Sequence, residues 1–214
     1  MKIGLMVPAN NTTMERELAA WLGAGTRCET VRIPRPPGML SAETVPAYVQ
    51  AARELAASYA GAELDTVVYG CTAAGFIMGP QADAQLAREL ENVTGKRVVT
   101  TARAMVQVLK DCAQVALVTP YPAEVNRRLA AFLEKSGIGV RRLASFGASS
   151  TEELGRIGSA QVEALARQTM GEDCDALFIA CSQLPTYDIL PGLQREFARP
   201  VWSSIQATAH AVTQ

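Results

Sequence analysis

Histidine is nearly missing from this chain: His210, close to the end of 214 residues, is the only one. Its distance in sequence from every cysteine gives a Cys-His dyad little support. A zinc site fares no better, because none of the five cysteines (Cys28, Cys71, Cys112, Cys174 and Cys181) stands in a C-x-x-C pair. G-x-G-x-x-G, G-x-x-x-x-G-K-[ST] and G-x-S-x-G are absent too. Dinucleotide, nucleoside triphosphate and serine hydrolase chemistry therefore lack their mechanical signatures. A mechanism with no metal and no cofactor fits best.

Excess charge is also lacking. Lys plus Arg (20) balances Asp plus Glu (21), and the basic pairs Arg127-Arg128 and Arg141-Arg142 are too short to track a phosphate backbone. No nucleic acid partner is expected. The longest uncharged apolar stretch, Thr66 to Gly79, is broken by Gly70, Thr72 and Gly75 and falls short of the roughly 20 residues of a membrane span. The N-terminus reaches Asn10 and Asn11 after a short apolar strand, without the apolar core or cleavage site of a secretory leader. A cytoplasmic protein is expected, and an odd number of cysteines there stays reduced and available for chemistry.

What the chain does hold is alternation. With 49% hydrophobic residues it can build a substantial core, and β-branched apolar runs alternate with segments of three- and four-residue apolar spacing. Strands are predicted at Lys2 to Val7, Arg27 to Ile33, Asp65 to Gly70, Arg97 to Thr101, Gln114 to Thr119, Gly139 to Ser145, Asp175 to Ala180 and Pro200 to Ser204. Helices are predicted at Thr12 to Leu22, Val45 to Ala60, Gln81 to Thr94, Ala102 to Lys110, Glu124 to Ser136, Ser159 to Met170 and Leu190 to Phe197. Gly95, Gly137 and Gly171 follow three of them, where a left-handed residue would end a helix at little steric cost.

The pattern is that of an α/β protein. Gly4-Leu5-Met6-Val7-Pro8 followed by Asn11 echoes Ala116-Leu117-Val118-Thr119-Pro120 followed by Tyr121 and Asn126. Two pseudo-symmetric four-stranded parallel-sheet units with flanking helices are therefore expected, with a ligand cleft between them. The halves would be residues 1–104, carrying Cys71, and 105–214, carrying Cys181. A C-terminal helix would pack back on the first half.

Those two cysteines end similar strands, Val67-Val68-Tyr69-Gly70-Cys71-Thr72 and Leu177-Phe178-Ile179-Ala180-Cys181-Ser182. Ligands of parallel sheets gather beyond the carboxyl ends of strands, so halves that face each other would set two thiols on opposite sides of one cleft. Such a pair could serve a planar carbon acid as an isomerase or a racemase. A free cysteine is also a small hydrophobe that packs into cores, which is the reading for Cys28, Cys112 and Cys174. Asn11 has a competing duty as a helix cap, and Thr12-Thr13-Met14-Glu15 has the form of a capping box. Tyr121 can be a packed aromatic, and Asn126, among Leu129 and Phe132, reads as structural.

Val7-Pro8-Ala9-Asn10-Asn11-Thr12-Thr13-Met14-Glu15, Tyr69-Gly70-Cys71-Thr72, Thr119-Pro120-Tyr121 and Ala180-Cys181-Ser182 resemble the aspartate/glutamate racemase superfamily, and within it the maleate cis-trans isomerases. That resemblance implies Cys71 as nucleophile, Cys181 as proton carrier, and Asn11, Thr12, Thr72, Tyr121 and Ser182 as the groups that hold a small carboxylate or dicarboxylate. The run from Tyr121 to Leu133 and the Leu40 to Tyr48 segment are similar to arylmalonate decarboxylase, which uses only the second-half cysteine and has a small residue where Cys71 stands here. A two-base racemase is the further alternative. One departure from the isomerase pattern is Thr151, where an asparagine that helps bind a carboxylate is common. The stretch Pro36-Pro37-Gly38-Met39-Leu40 would suit a pocket wall for an apolar group. A homodimer is the expected assembly, dimers being the commonest homo-oligomers.

Overall fold

The computed structural model describes residues 1–35 and 38–214, so Pro36 and Pro37 of that expected wall lie outside the described residues. Near-continuous apolar runs make the inner strands. β1 (Lys2–Pro8) buries every residue after Lys2 and β5 (Gln114–Thr119) every residue after Gln114, as strands covered on both faces must. They are flanked by β2 (Arg27–Ile33) with β3 (Thr66–Tyr69), and by β6 (Gly139–Ser145) with β7 (Ala176–Ile179). Short strands β4 (Val98–Thr100) and β8 (Val201–Ser203) complete two parallel four-stranded sheets, ordered β2-β1-β3-β4 and β6-β5-β7-β8.

Strand order is thus the same in both sheets, and so is a detail of their edges. Asp65, just ahead of β3, accepts from the Lys2 N–H at 2.7 Å. Asp175, just ahead of β7, accepts from the Ala113 and Gln114 N–H groups at 2.8 Å each. Both aspartates were expected inside strands. Each instead precedes its strand and satisfies backbone donors at the start of its neighbour.

The connecting helices are α1 (Met14–Leu22), α2 (Val45–Ala56), α3 (Thr72–Ile77), α4 (Pro80–Thr94), α5 (Thr101–Leu109), α6 (Ala123–Glu134), α7 (Thr151–Gly155), α8 (Ser159–Thr169) and α9 (Leu190–Phe197), and α10 (Ser204–Val212) follows the last strand. α5 carries the chain from one sheet to the other, and residues 104 and 105 lie within it. α10 leaves the second sheet and packs on α5 and α1. The Arg97 guanidinium holds its far end, donating to the Ala211 and Val212 carbonyls at 2.9 and 2.8 Å, oxygens that a helix C-terminus leaves unpaired.

Two of the glycine expectations hold: Gly95 caps α4 at φ 66° and Gly137 follows α6 at φ 81°. Gly171 does not, having no positive φ. A Cβ there would meet only the Arg142 guanidinium and the Asp173 carboxylate, ends of partly exposed side chains that can shift. Gly70 is a contact glycine, because a Cβ would come within 2.6 Å of Met14 Sδ. Among the described residues, no helix is long and apolar enough to cross a membrane.

One core carboxyl is poorly served. Asp83, on α4, is buried; its Oδ2 accepts from Thr100 Oγ1 at 2.7 Å while Oδ1 has no partner. Burial pushes its pKa up from 3.8 to about 6, against the Thr100 hydrogen bond and the Arg103 charge, which favour the anion. Folding therefore favours the protonated form. Its stabilisation is complete below the unfolded-state pKa near 4 and is lost as pH rises through about 6. Asp83→Asn should remove that loss, on the order of 2–3 kcal/mol, and flatten the decline in urea-unfolding stability between pH 4 and 7 relative to the unchanged protein.

Candidate active site

The ends of β1, β3, β5, β7 and β8 meet between the two sheets, and a narrow cleft lies there. Cys71 and Cys181 both line it, with Asn11, Thr72, Tyr121 and Ser182.

Each thiol sits over backbone N–H groups. Cys71 is the N-cap of α3, so the N–H groups of Ala73 and Ala74 favour its thiolate. Cys181 Sγ accepts from the Gln183 N–H at 3.4 Å and is favoured as thiolate by Leu184 N–H as well. Burial nevertheless dominates both and raises both thiols, Cys181 to about 11. A phenol stands beside each sulfur, Tyr48 by Cys71 and Tyr121 by Cys181. Among the described residues neither hydroxyl has another hydrogen-bond partner, and each is close enough to donate to its sulfur as thiolate.

The two positions differ in charge and backbone. The Arg35 charge favours the Cys71 thiolate, whereas a charge on Cys71 disfavours one on Cys181. Cys71 has ordinary extended backbone, but Cys181 has φ 147°, a region L-residues rarely adopt. Ser204, where β8 meets α10, ties the two loops together. Its Oγ accepts from Thr72 Oγ1 at 3.1 Å and from the Cys181 N–H at 3.0 Å.

Asn11 both caps and bridges. Its Oδ1 accepts from the Thr13 and Met14 N–H groups at 3.0 and 2.9 Å, and its Nδ2 donates to Ser182 Oγ at 3.1 Å. Ser182 Oγ in turn donates to the Gly70 carbonyl at 2.7 Å. The capping box expected of Thr12 to Glu15 does not form: the N-cap Thr13 makes no side-chain cap, and the amide two residues earlier takes its place. Thr12 is exposed and does not line the cleft. Its N–H donates to Gln183 Oε1 at 3.0 Å, and its Oγ1 accepts from Gln183 Nε2 at 3.1 Å.

Tyr121 packs edge-on against Phe76, centroids 5.5 Å apart. Asn126 holds its main chain, accepting from Thr119 Oγ1 at 2.6 Å and donating to the Tyr121 carbonyl at 2.8 Å. Thr151 opens α7, and the residue of that helix that reaches the cleft is Leu154. Met39 and Leu40 line the cleft on another side.

Arg35, Tyr48, Leu154 and Gln183 were not singled out from the sequence. Tyr48 sits at helical spacing among apolar residues and reads as core. Only Gln183, directly after Cys181-Ser182, carried a positional signal. Glu17 is the least visible: on α1 and buried, it accepts from the Thr186 N–H at 3.0 Å, Thr186 Oγ1 at 3.0 Å and the Tyr187 N–H at 3.1 Å. Glu17→Gln sets an amide NH₂ against these donors and should cost about 2–4 kcal/mol. Chemical unfolding checks the loss, and hydrogen exchange should speed up at the Thr186 and Tyr187 amides.

A family model described as arylmalonate decarboxylase matches residues 3–214. The maleate isomerase of Nocardia farcinica is 30% identical over 223 residues, which cover 99% of this chain and 88% of that protein. The arylmalonate decarboxylase of Bordetella bronchiseptica is 30% identical over 140 residues, 64% of this chain and 58% of that one. Among solved structures, a cysteine-to-serine mutant of the Nocardia farcinica maleate cis-trans isomerase, with a covalently bound succinylcysteine intermediate, superposes with a TM-score of 0.88. It is 27% identical, and the match covers 99% of this chain and 90% of that one.

Proposed function

The chain belongs to the family of arylmalonate decarboxylases and maleate isomerases, and from that premise we propose that it converts maleate to fumarate without a cofactor, with Cys71 as nucleophile and Cys181 as proton carrier. The observation that carries this reading is the pair of unequal thiols lining one cleft. The Cys71 thiolate, over the first N–H groups of α3, adds to one alkene carbon. Cys181 gives its proton to the neighbouring carbon, and the saturated adduct is a succinyl thioether. Its central bond turns as a single bond. Cys181 then takes the proton back, the C–S bond breaks, and fumarate leaves with the Cys71 thiolate restored. A relative that carries a succinylcysteine intermediate supports the covalent route.

Backbone N–H groups beside the sulfurs and the unpartnered Tyr121 hydroxyl are the donors available to a carboxylate. Asn11, Thr72 and Ser182 hold the loops that present them, each still facing the cleft. Thr12 acts at one remove, through Gln183.

Met39, Leu40 and Leu154 in the cleft wall favour a second reading, decarboxylation of an aryl-substituted malonate with Cys181 as proton donor. The readings separate cleanly. Isomerisation predicts that Cys71→Ala loses roughly 10³-fold or more in kcat and that Cys181→Ser incubated with maleate gains the mass of one maleate on Cys71, read by peptide mass spectrometry. Full activity in Cys71→Ala would sink it. Carbon dioxide release from phenylmalonate that survives loss of Cys71 identifies a decarboxylase, and solvent deuterium at a stereocentre with no adduct a racemase. Because burial raises both thiols and Cys71 must be ionised while Cys181 is protonated, kcat/KM should climb with pH above neutrality and fall only near about 11.

A further inference from the structure

We infer that Arg35 is the anchor for a second carboxylate, so that the cleft selects dianionic dicarboxylates over monoanions; this inference rests on the cleft being the substrate site proposed above. Arg35 is half-buried in the cleft wall. Its terminal nitrogens are held by neutral acceptors, Nη1 by Asn10 Oδ1 at 3.3 Å and Nη2 by the Gly38 carbonyl at 2.7 Å. These contacts fix the plane of the guanidinium without cancelling its charge. Among the described residues no carboxylate lies within ion-pairing distance of Arg35, and its Nε–H is buried with no partner at all.

A partly desolvated cation of this kind costs free energy unless an anion completes it. Apart from the thiolate proposed at Cys71, the described residues of the cleft provide none. Asn11 Oδ1 is occupied by α1, Thr72 donates to Ser204, and Ser182 donates to Gly70. Each terminal nitrogen makes one recorded hydrogen bond and keeps a second N–H, a pair of donors suited to a planar carboxylate. Arg35 also acts on the reactive groups, its positive charge favouring the anionic forms of Cys71, Tyr48 and Tyr121.

The position answers a gap in the cleft. Thr151 does not line the cleft, and the contribution of its helix there is the apolar Leu154. One carboxylate is left to the N–H groups around the sulfurs. The other falls to Arg35.

Succinate and butyrate, four-carbon acids with no double bond to react, test this by calorimetric titration of the unchanged protein and of Arg35→Met and Arg35→Lys. The unchanged protein should prefer succinate on the order of 10- to 100-fold. Arg35→Met should reduce that preference to within about three-fold, and Arg35→Lys, which keeps the charge but not the fork, should retain part of it. An undiminished preference in Arg35→Met overturns the assignment even if maleate is still isomerised. Loss of the preference in Arg35→Met upholds it even if maleate turnover is never seen, because neither acid needs to react.

Discussion

The contact on which the site depends is the row of hydrogen bonds between the start of α1 and the loop that follows Cys181. Asn11 reaches Ser182, Thr12 exchanges two bonds with Gln183, and Glu17 gathers the backbone and hydroxyl of Thr186 with the N–H of Tyr187. All of these join the first sheet's leading helix to the second sheet's reactive loop. Parallel sheets can be built separately, each around its own core, but two strand-end thiols become partners only when one sheet is registered against the other. Buried polar groups suit that task, since a displaced bond in low dielectric is expensive. An apolar seam would tolerate sliding.

That registration explains how matched positions come to differ. Both thiols follow a buried strand, both sit over N–H groups, and both have a phenol alongside. Symmetry is broken by what the two halves do not share: a free arginine on the loop after β2, a six-residue helix begun by Cys71, and a turn with φ 147° at Cys181. The first two favour charge at Cys71, and once it is charged the nearby Cys181 resists losing its own proton. In the reaction proposed above, that bias would suit Cys71 to the nucleophile's part and Cys181 to the acid's. This accords with a chain that has only one histidine to offer.

Much of the scaffold was legible in the sequence, for identifiable reasons. β2, β5 and β6 run over the residues that their β-branched runs indicate. α3 and α7 escaped because six and five residues are too few to establish a helical period, and α3 is buried nearly all round, which removes the polar face that would mark it. Asn11, Cys71, Thr72, Tyr121, Cys181 and Ser182 were visible as strand-end polar residues, and the structure brings all six to one cleft. Arg35 and Glu17 were not, because a lone charge in a loop or on a helix ordinarily faces water. Their meaning depends on which groups lie across the fold, and sequence spacing does not carry that.

The backbone at Cys181 sets stability against reactivity at one residue. At φ 147° a glycine would relax where a cysteine is strained, so random substitution that improved folding alone would tend to erase the thiol. Replacement by glycine at this position would remove the Cys181 thiol while relaxing the turn, and the turn would survive as scaffold.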